Sequence, residues 1–144
     1  MLLEGDVIES VCSLLTNKGY TIKQRLTVAD HGDDIIAEKK RNKTRRILIE
    51  AKGETSSSKT SNRYGKSFSS SQVSVHVSKA FYKAAEVISK SYIGFEVKAG
   101  IALPDNKQHR DCVEKIQTAL TLLNIAVFWV KGNGDVEVMS PWEL

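Results

Sequence analysis

Three residues, Asp34, Glu50 and Lys52, have the types and the spacing for metal-assisted chemistry on a phosphate. Asp34 precedes the short apolar run 35–37, and Glu50 and Lys52 end the apolar run that begins at Ile47. Two carboxylates suit a hard divalent cation, which keeps several waters and takes phosphate oxygens as further ligands. A lysine beside such an ion can orient or deprotonate the attacking water, or stabilise developing negative charge.

The spacing of the two runs predicts a tight hairpin with its turn at Asn42. In that register, residues whose numbers add up to about 84 lie opposite each other, so Asp34 faces Glu50 across the strands. Because side chains alternate along a strand, Glu50 and Lys52 share a face. Two acids this close repel and shift each other's pKa unless a cation lies between them. Asp33 stays an alternative ligand, although alternation sends it to the opposite face from Asp34.

The elements around this hairpin predict an α/β fold, a mixed β-sheet flanked by helices in the order αβββ-α-β-α-ββ. Segment 53–71 holds eight serines without periodicity, and we interpret it as a basic Ser-rich loop inserted in one domain, residues 1–144. The predicted helices are 7–15, 73–88 and 113–123, and the predicted strands are 20–28, 35–37, 47–49, 97–103, 125–130 and 136–139.

The order of helix, strand, Asp-bearing strand, Glu-x-Lys strand and helix resembles the PD-(D/E)xK nuclease superfamily. The closest likeness is to archaeal Holliday-junction resolvases and Mrr-type restriction endonucleases, over residues 4–88, with 100–104 compatible. The resemblance implies a restriction-endonuclease-like fold and Mg²⁺- or Mn²⁺-dependent cleavage of DNA that leaves 5′-phosphates. It makes Asp34 and Glu50 the metal ligands, Lys52 the catalytic lysine and the Ala51 carbonyl a further ligand. The sequence departs from the pattern in having no proline before the acid and two consecutive acids.

Many members of this superfamily also use a glutamate from the first helix, and Glu4 and Glu9 are the two candidates here. Glu4 falls at the centre of the apolar helix face, where a charge is costly unless it is paired or binds metal, so Glu4 is favoured. The alternative is that Glu4 precedes the helix and is simply solvated.

Gln72 and His76 lie one helical turn apart on the second predicted helix. This spacing is similar to the Gln-x-x-x-Tyr motif of exonuclease-like members, with His76 in place of tyrosine. In the functional interpretation Gln72 positions the substrate phosphate or a water on the metal. An ordinary polar helix flank is the alternative, and it is the stronger interpretation for His76.

The basic residues form clusters that favour a polyanionic partner. The net charge is +4 with a pI near 9.1, and the loop mixes cations with Tyr64 and Phe68, a composition that suits phosphate contacts with some stacking. The alternative for the basic hairpin tip is a solubilising strand end. The candidate nucleic-acid-binding residues are Lys39, Lys40, Arg41, Lys43, Arg45, Arg46, Lys59, Arg63, Lys66, Lys79 and Lys83.

Several function classes are excluded by composition. The longest apolar run, 125–130, is far short of the roughly 20 residues of a membrane span, and the start lacks secretory features. Cys12 and Cys112 stand alone, which argues against a disulfide framework or a cysteine-rich zinc site and fits a cytoplasmic location. We therefore expect a DNA endonuclease, plausible as a homodimer, acting in restriction, recombination or repair. The rival is a catalytically inactive nuclease fold that binds nucleic acid or a partner protein.

Overall fold

The computed structural model describes residues 1–26, 32–55, 65–90 and 92–144, and it contains four helices and six strands in those ranges. The helices are α1 (Glu4–Asn17), α2 (Ser70–Ser89), α3 (Lys107–Glu114) and α4 (Gln117–Leu122). The strands are β1 (Thr21–Arg25), β2 (Ile35–Lys39), β3 (Thr44–Ala51), β4 (Phe95–Pro104), β5 (Ile125–Val130) and β6 (Val136–Met139).

The predicted α/β class with a mixed sheet is confirmed. The strands lie in sequence order from β1 to β6 in one six-stranded sheet. β1, β2 and β3 are antiparallel neighbours, β3, β4 and β5 are parallel, and β6 returns antiparallel at the edge. The α2 helix and the α3–α4 pair therefore serve as the crossover connections that parallel strands require.

The third predicted helix is corrected by the structure, because residues 113–123 do not form one helix. The chain forms α3 and α4, and Ile116 between them has a non-helical φ of −119°. Val113 in α3 and Leu120 in α4 are both buried in the same core cluster.

The sheet separates two apolar cores. One face packs against α1 around Val7, Val11 and Leu15, and the other packs against α2, α3 and α4. All six residues of β5 are buried, so that apolar run belongs to the core. Cys12 is buried and Cys112 half-buried, and both are free thiols, as predicted. Helices thus cover both sides of the strands that carry the predicted site.

Candidate active site

The β2–β3 hairpin has the predicted register. Ile35 pairs with Ile49, so the next pair along the ladder is Asp34 and Glu50. The Asp34 Oδ2 atom accepts a hydrogen bond of 2.8 Å from the backbone N–H of Ala51, which fixes the carboxylate against β3. The structure thereby brings the two acids together at the open end of the hairpin.

Lys52 completes this group. Its Nζ atom lies 3.3 Å from Glu50 Oε1, and the two side chains are 20% and 12% exposed. The Lys52 backbone N–H donates to the carbonyl of Ala102, which extends the contact of β3 with β4 by one residue. The lysine and the two acids therefore share one half-buried site, held by the central strands of the sheet.

The acids of the site are buried with too little positive charge and too few hydrogen bonds around them to keep their pKa values in the usual range. Burial raises the pKa of Asp34 above its usual range, although the Ala51 N–H and Lys52 oppose the shift. Burial and the neighbouring Asp34 carboxylate raise the pKa of Glu50 as well. Glu50 Oε2 is buried and has no hydrogen-bond partner among the described residues. Neighbouring buried carboxylates with raised pKa values are typical of a site that takes a cation.

Glu4 joins this cluster from a different element. It is the first residue of α1 and is half-buried. Burial, the charge of Asp34 and a hydrogen bond with Asp34 raise the pKa of Glu4 to about 7. Glu9, the other candidate, is exposed and forms a salt bridge of 2.7 Å with Arg25. The geometry thus favours Glu4 over Glu9 and over a freely solvated Glu4.

Gly53 and Glu54 fix the start of α1 beside the site, and sequence reasoning missed both. A Cβ atom on Gly53 would lie 2.6 Å from the Glu4 backbone nitrogen and 2.9 Å from the Leu3 carbonyl carbon. Glu54 Oε1 accepts from the Leu2 N–H at 2.6 Å, and the Glu54 N–H donates to the Leu2 carbonyl. The available signal was a glycine directly after the Glu-x-Lys strand, since glycine there permits a close backbone approach.

The donor set fits a hard divalent cation with few protein ligands. Within the described ranges, no three or more His, Cys, Asp or Glu side chains are placed to hold a metal ion together. Mg²⁺ is commonly held by only one or two carboxylates plus water and substrate phosphate. Asp34 and Glu50, with the unpartnered Glu50 Oε2 atom, meet that requirement. The backbone carbonyl of Asp33 accepts from Gln24, and none of the hydrogen bonds described for the cluster involves the Asp33 side chain.

Gln72 lies at the start of α2, where its side chain contacts the helix cap. Its Oε1 atom accepts from the Ser69 N–H at 2.8 Å and closes a capping box at the start of α2. His76 packs edge-on against Phe68, with ring centroids 4.4 Å apart. Burial lowers the pKa of His76, and Lys52 lowers it further, so this histidine lies near the site as a neutral packing group. The polar-flank interpretation is therefore favoured for both.

Two arginines of the basic hairpin tip have guanidinium groups that pair with carboxylates of the protein. Arg45 is 6% exposed, pairs with Glu96, and lies over the Trp142 ring. Arg46 pairs with Glu38 at 2.6 Å. The expectation that Arg45 contacts a phosphate is corrected, because its guanidinium is buried within the protein.

The remaining basic candidates lie in different places. Lys39 donates to the carbonyl of Lys18 at 2.8 Å. Lys40, Arg41, Lys43 and Lys66 are exposed. Lys59 and Arg63 lie outside the described residues. Lys79 and Lys83 are on α2 and line a groove that begins at Glu50 and Lys52.

Comparison with known proteins identifies one family. A family model for the catalytic domain Mrr_cat, described as a restriction endonuclease, matches residues 4–108. The match contains Glu4, Asp34, Glu50 and Lys52. No curated protein matches the chain. Among the described residues, no helix is long and apolar enough to cross a bilayer.

Proposed function

This chain belongs to the Mrr-type restriction endonuclease family, a family of nucleases that act on DNA, and from that premise we propose that it is a divalent-metal-dependent DNA endonuclease. The observation that carries the proposal is the meeting of Glu4, Asp34, Glu50 and Lys52 at one end of the β2–β3 hairpin. The acids come from α1, from the residue before β2 and from β3, and each has a raised pKa.

In this proposal Asp34 and Glu50 hold Mg²⁺ or Mn²⁺, with the Ala51 carbonyl as a further ligand. The bound ion supplies Lewis-acid stabilisation of negative charge on the phosphate. Lys52 orients the attacking water and stabilises charge that develops at phosphorus. Glu4 holds the Asp34 carboxylate in place through their hydrogen bond. Water adds across the P–O3′ bond, so the products carry a 5′-phosphate and a 3′-hydroxyl.

The test is a panel of DNA and RNA structures incubated with Mg²⁺ or Mn²⁺, using the full chain and two variants. We expect cleavage of at least one DNA, and we expect Glu50→Ala and Lys52→Ala to lower its rate by about 10²-fold or more, since each removes a preorganised charge from the site. Full metal-dependent cleavage by both variants would falsify the proposal. Salt-sensitive DNA binding without cleavage by the wild type would favour the inactive binding module instead.

The homodimer also belongs to this proposal. A cut in both strands needs two sites or two successive events, and a pair of such small domains supplies two sites. Sedimentation of the free protein and of its DNA complex tests the stoichiometry, and a monomer on a doubly cut duplex would contradict the dimer.

A further inference from the structure

A groove of about 550 Å³ leads away from the candidate site along α2. It begins at Glu50 and Lys52, and its helical wall consists of two adjacent rows of side chains with a spacing of four residues. The rows are Ser74, Ser78 and Tyr82, and Val75, Lys79 and Lys83. The groove is therefore continuous with the place where the scissile phosphate would lie.

Tyr82 is the feature of this groove that protein packing does not explain. Its side chain is 68% exposed, whereas Tyr20 is 3% exposed and Phe128 is fully buried. Among the described residues it is the only aromatic side chain that is mostly exposed. Val75, 51% exposed, lies on the same helix surface. The groove thus offers an apolar, aromatic surface to whatever enters it.

The charge beside Tyr82 is positive. Lys79 and Lys83 line the groove together with Glu50 and Lys52, so two positive charges lie along the wall that leads from the site. Neither lysine forms a salt bridge with any described residue. An exposed aromatic ring beside two lysines is the combination that binds bases and phosphates of a single strand.

We propose that the α2 groove binds an unpaired nucleic-acid strand next to the scissile phosphate, with Tyr82 stacking on a base and Lys79 and Lys83 contacting the backbone. Stacking on an aromatic side chain needs a free base face, and inside a duplex those faces are covered by neighbouring base pairs. The substrate class that follows is DNA with a single-stranded segment at the cut, such as a flap, a junction or a frayed end. This inference rests on the proposed function, because it takes the strand to be the substrate of the same site.

The experiment measures binding of the full chain to a labelled oligothymidylate and to a blunt duplex of equal length, in EDTA so that nothing is cut. We expect Tyr82→Ala to weaken binding of the oligothymidylate by about tenfold and to leave duplex binding unchanged. Tyr82→Phe keeps the ring and should bind as the wild type does. Ile93→Ala is the matched control, since Ile93 is 96% exposed but does not line the groove.

Three results would overturn the inference. They are an unchanged affinity of Tyr82→Ala for the oligothymidylate, an equal loss on both oligonucleotides, and a change in the oligomeric state of this variant. Any of these results, with Glu50-dependent cleavage intact, removes this inference and leaves the proposed function standing. Tyr82-dependent strand binding by a wild type that cleaves no DNA would overturn the proposed function and leave the groove as a strand-binding site.

Discussion

The two ends of the β2–β3 hairpin differ in how well their charged side chains are matched by partners of opposite charge. At the tip, Arg45 and Arg46 have carboxylate partners and lie over aromatic rings. At the open end, burial raises the pKa of both Asp34 and Glu50, the charge of Asp34 raises that of Glu50 further, and a buried Glu50 oxygen has no partner in the described structure. Five residues, about 17 Å of strand, separate the two ends.

This difference separates charges that stabilise the fold from charges that serve a site. A salt bridge between partly buried groups offsets part of the cost of burying each charge. The open end keeps that cost, and proteins commonly retain such destabilised clusters where activity requires them. The comparison therefore predicts opposite effects of the same substitution at the two ends.

The largest expected effect comes from Glu50→Gln compared with Glu38→Gln. Glu50→Gln removes a repelling charge, so it should raise the Tm in EDTA at neutral pH while lowering the cleavage rate by about 10²–10³-fold. Glu38→Gln breaks the pair with Arg46, so it should lower the unfolding free energy by about 1–3 kcal/mol and leave cleavage unchanged.

Thermal melts with and without Mg²⁺, run beside cleavage assays, measure both effects. Added Mg²⁺ should raise the Tm of the wild type by mass action and should not raise that of Glu50→Gln. A Tm that falls in both variants would contradict the distinction between the two ends of the hairpin.

The second effect concerns His109, which is 1% exposed and supports the open end from α3. Its Nδ1 atom contacts Asn106, which donates to Glu54, and its other charged or titratable neighbours are Glu54 and His76. Burial lowers the pKa of His109 to about 4. As the pH falls from about 6.5 toward 4, His109 is protonated in the unfolded chain but stays neutral in the folded chain. The free energy of unfolding therefore falls, by up to about 3 kcal/mol.

The acids of the site act in the opposite direction over an overlapping pH range, because the pKa of Glu4 is raised to about 7 and folding is favoured as the pH falls through that value. The measurement is therefore the difference between wild type and His109→Gln in urea unfolding from pH 7 to pH 4. The wild type should lose stability relative to the variant across this range. Parallel pH profiles would show that His109 is not held neutral.

The sequence predicted the hairpin, its register and the Asp34, Glu50 and Lys52 cluster, because strand alternation and a short turn determine which side chains meet. It predicted one helix where α3 and α4 form, since Val113 and Leu120 keep helical spacing across the break at Ile116. It favoured Glu4 but left a solvated Glu4 open, because the position of a helix start depends on tertiary contacts, here those of Gly53. It could not foresee that Arg45 is buried, because Trp142 and Glu96 are distant in the chain.

The third prediction concerns the close approach of Gly53 to the start of α1, and it compares Gly53→Ala with Gly5→Ala. The new Cβ at position 53 would meet backbone atoms of Leu3 and Glu4, so α1 must shift away from the site. We expect a loss of about 1–3 kcal/mol in unfolding free energy, together with slower cleavage. Gly5 has nothing within 4 Å of the same position, and alanine there should be neutral or stabilising. Equal effects of the two variants would show that α1 is not fixed by this contact.

The smallest expected effect compares the lysines of the α2 groove with the lysines of the hairpin tip. Lys79→Ala/Lys83→Ala and Lys40→Ala/Lys43→Ala each remove two positive charges from the protein. The α2 pair lines the groove, whereas the tip pair is exposed at the far end of the hairpin. Removing one lysine that binds a phosphate should reduce the salt dependence of DNA binding, the slope of log K against log salt, by about 1. For the α2 pair, which removes two such lysines, we expect a reduction of about 2, measured by anisotropy titrations in EDTA, and for the tip pair little change. An equal reduction would extend the DNA footprint to the tip, because a long-range effect of net charge alone would be screened beyond about 10 Å.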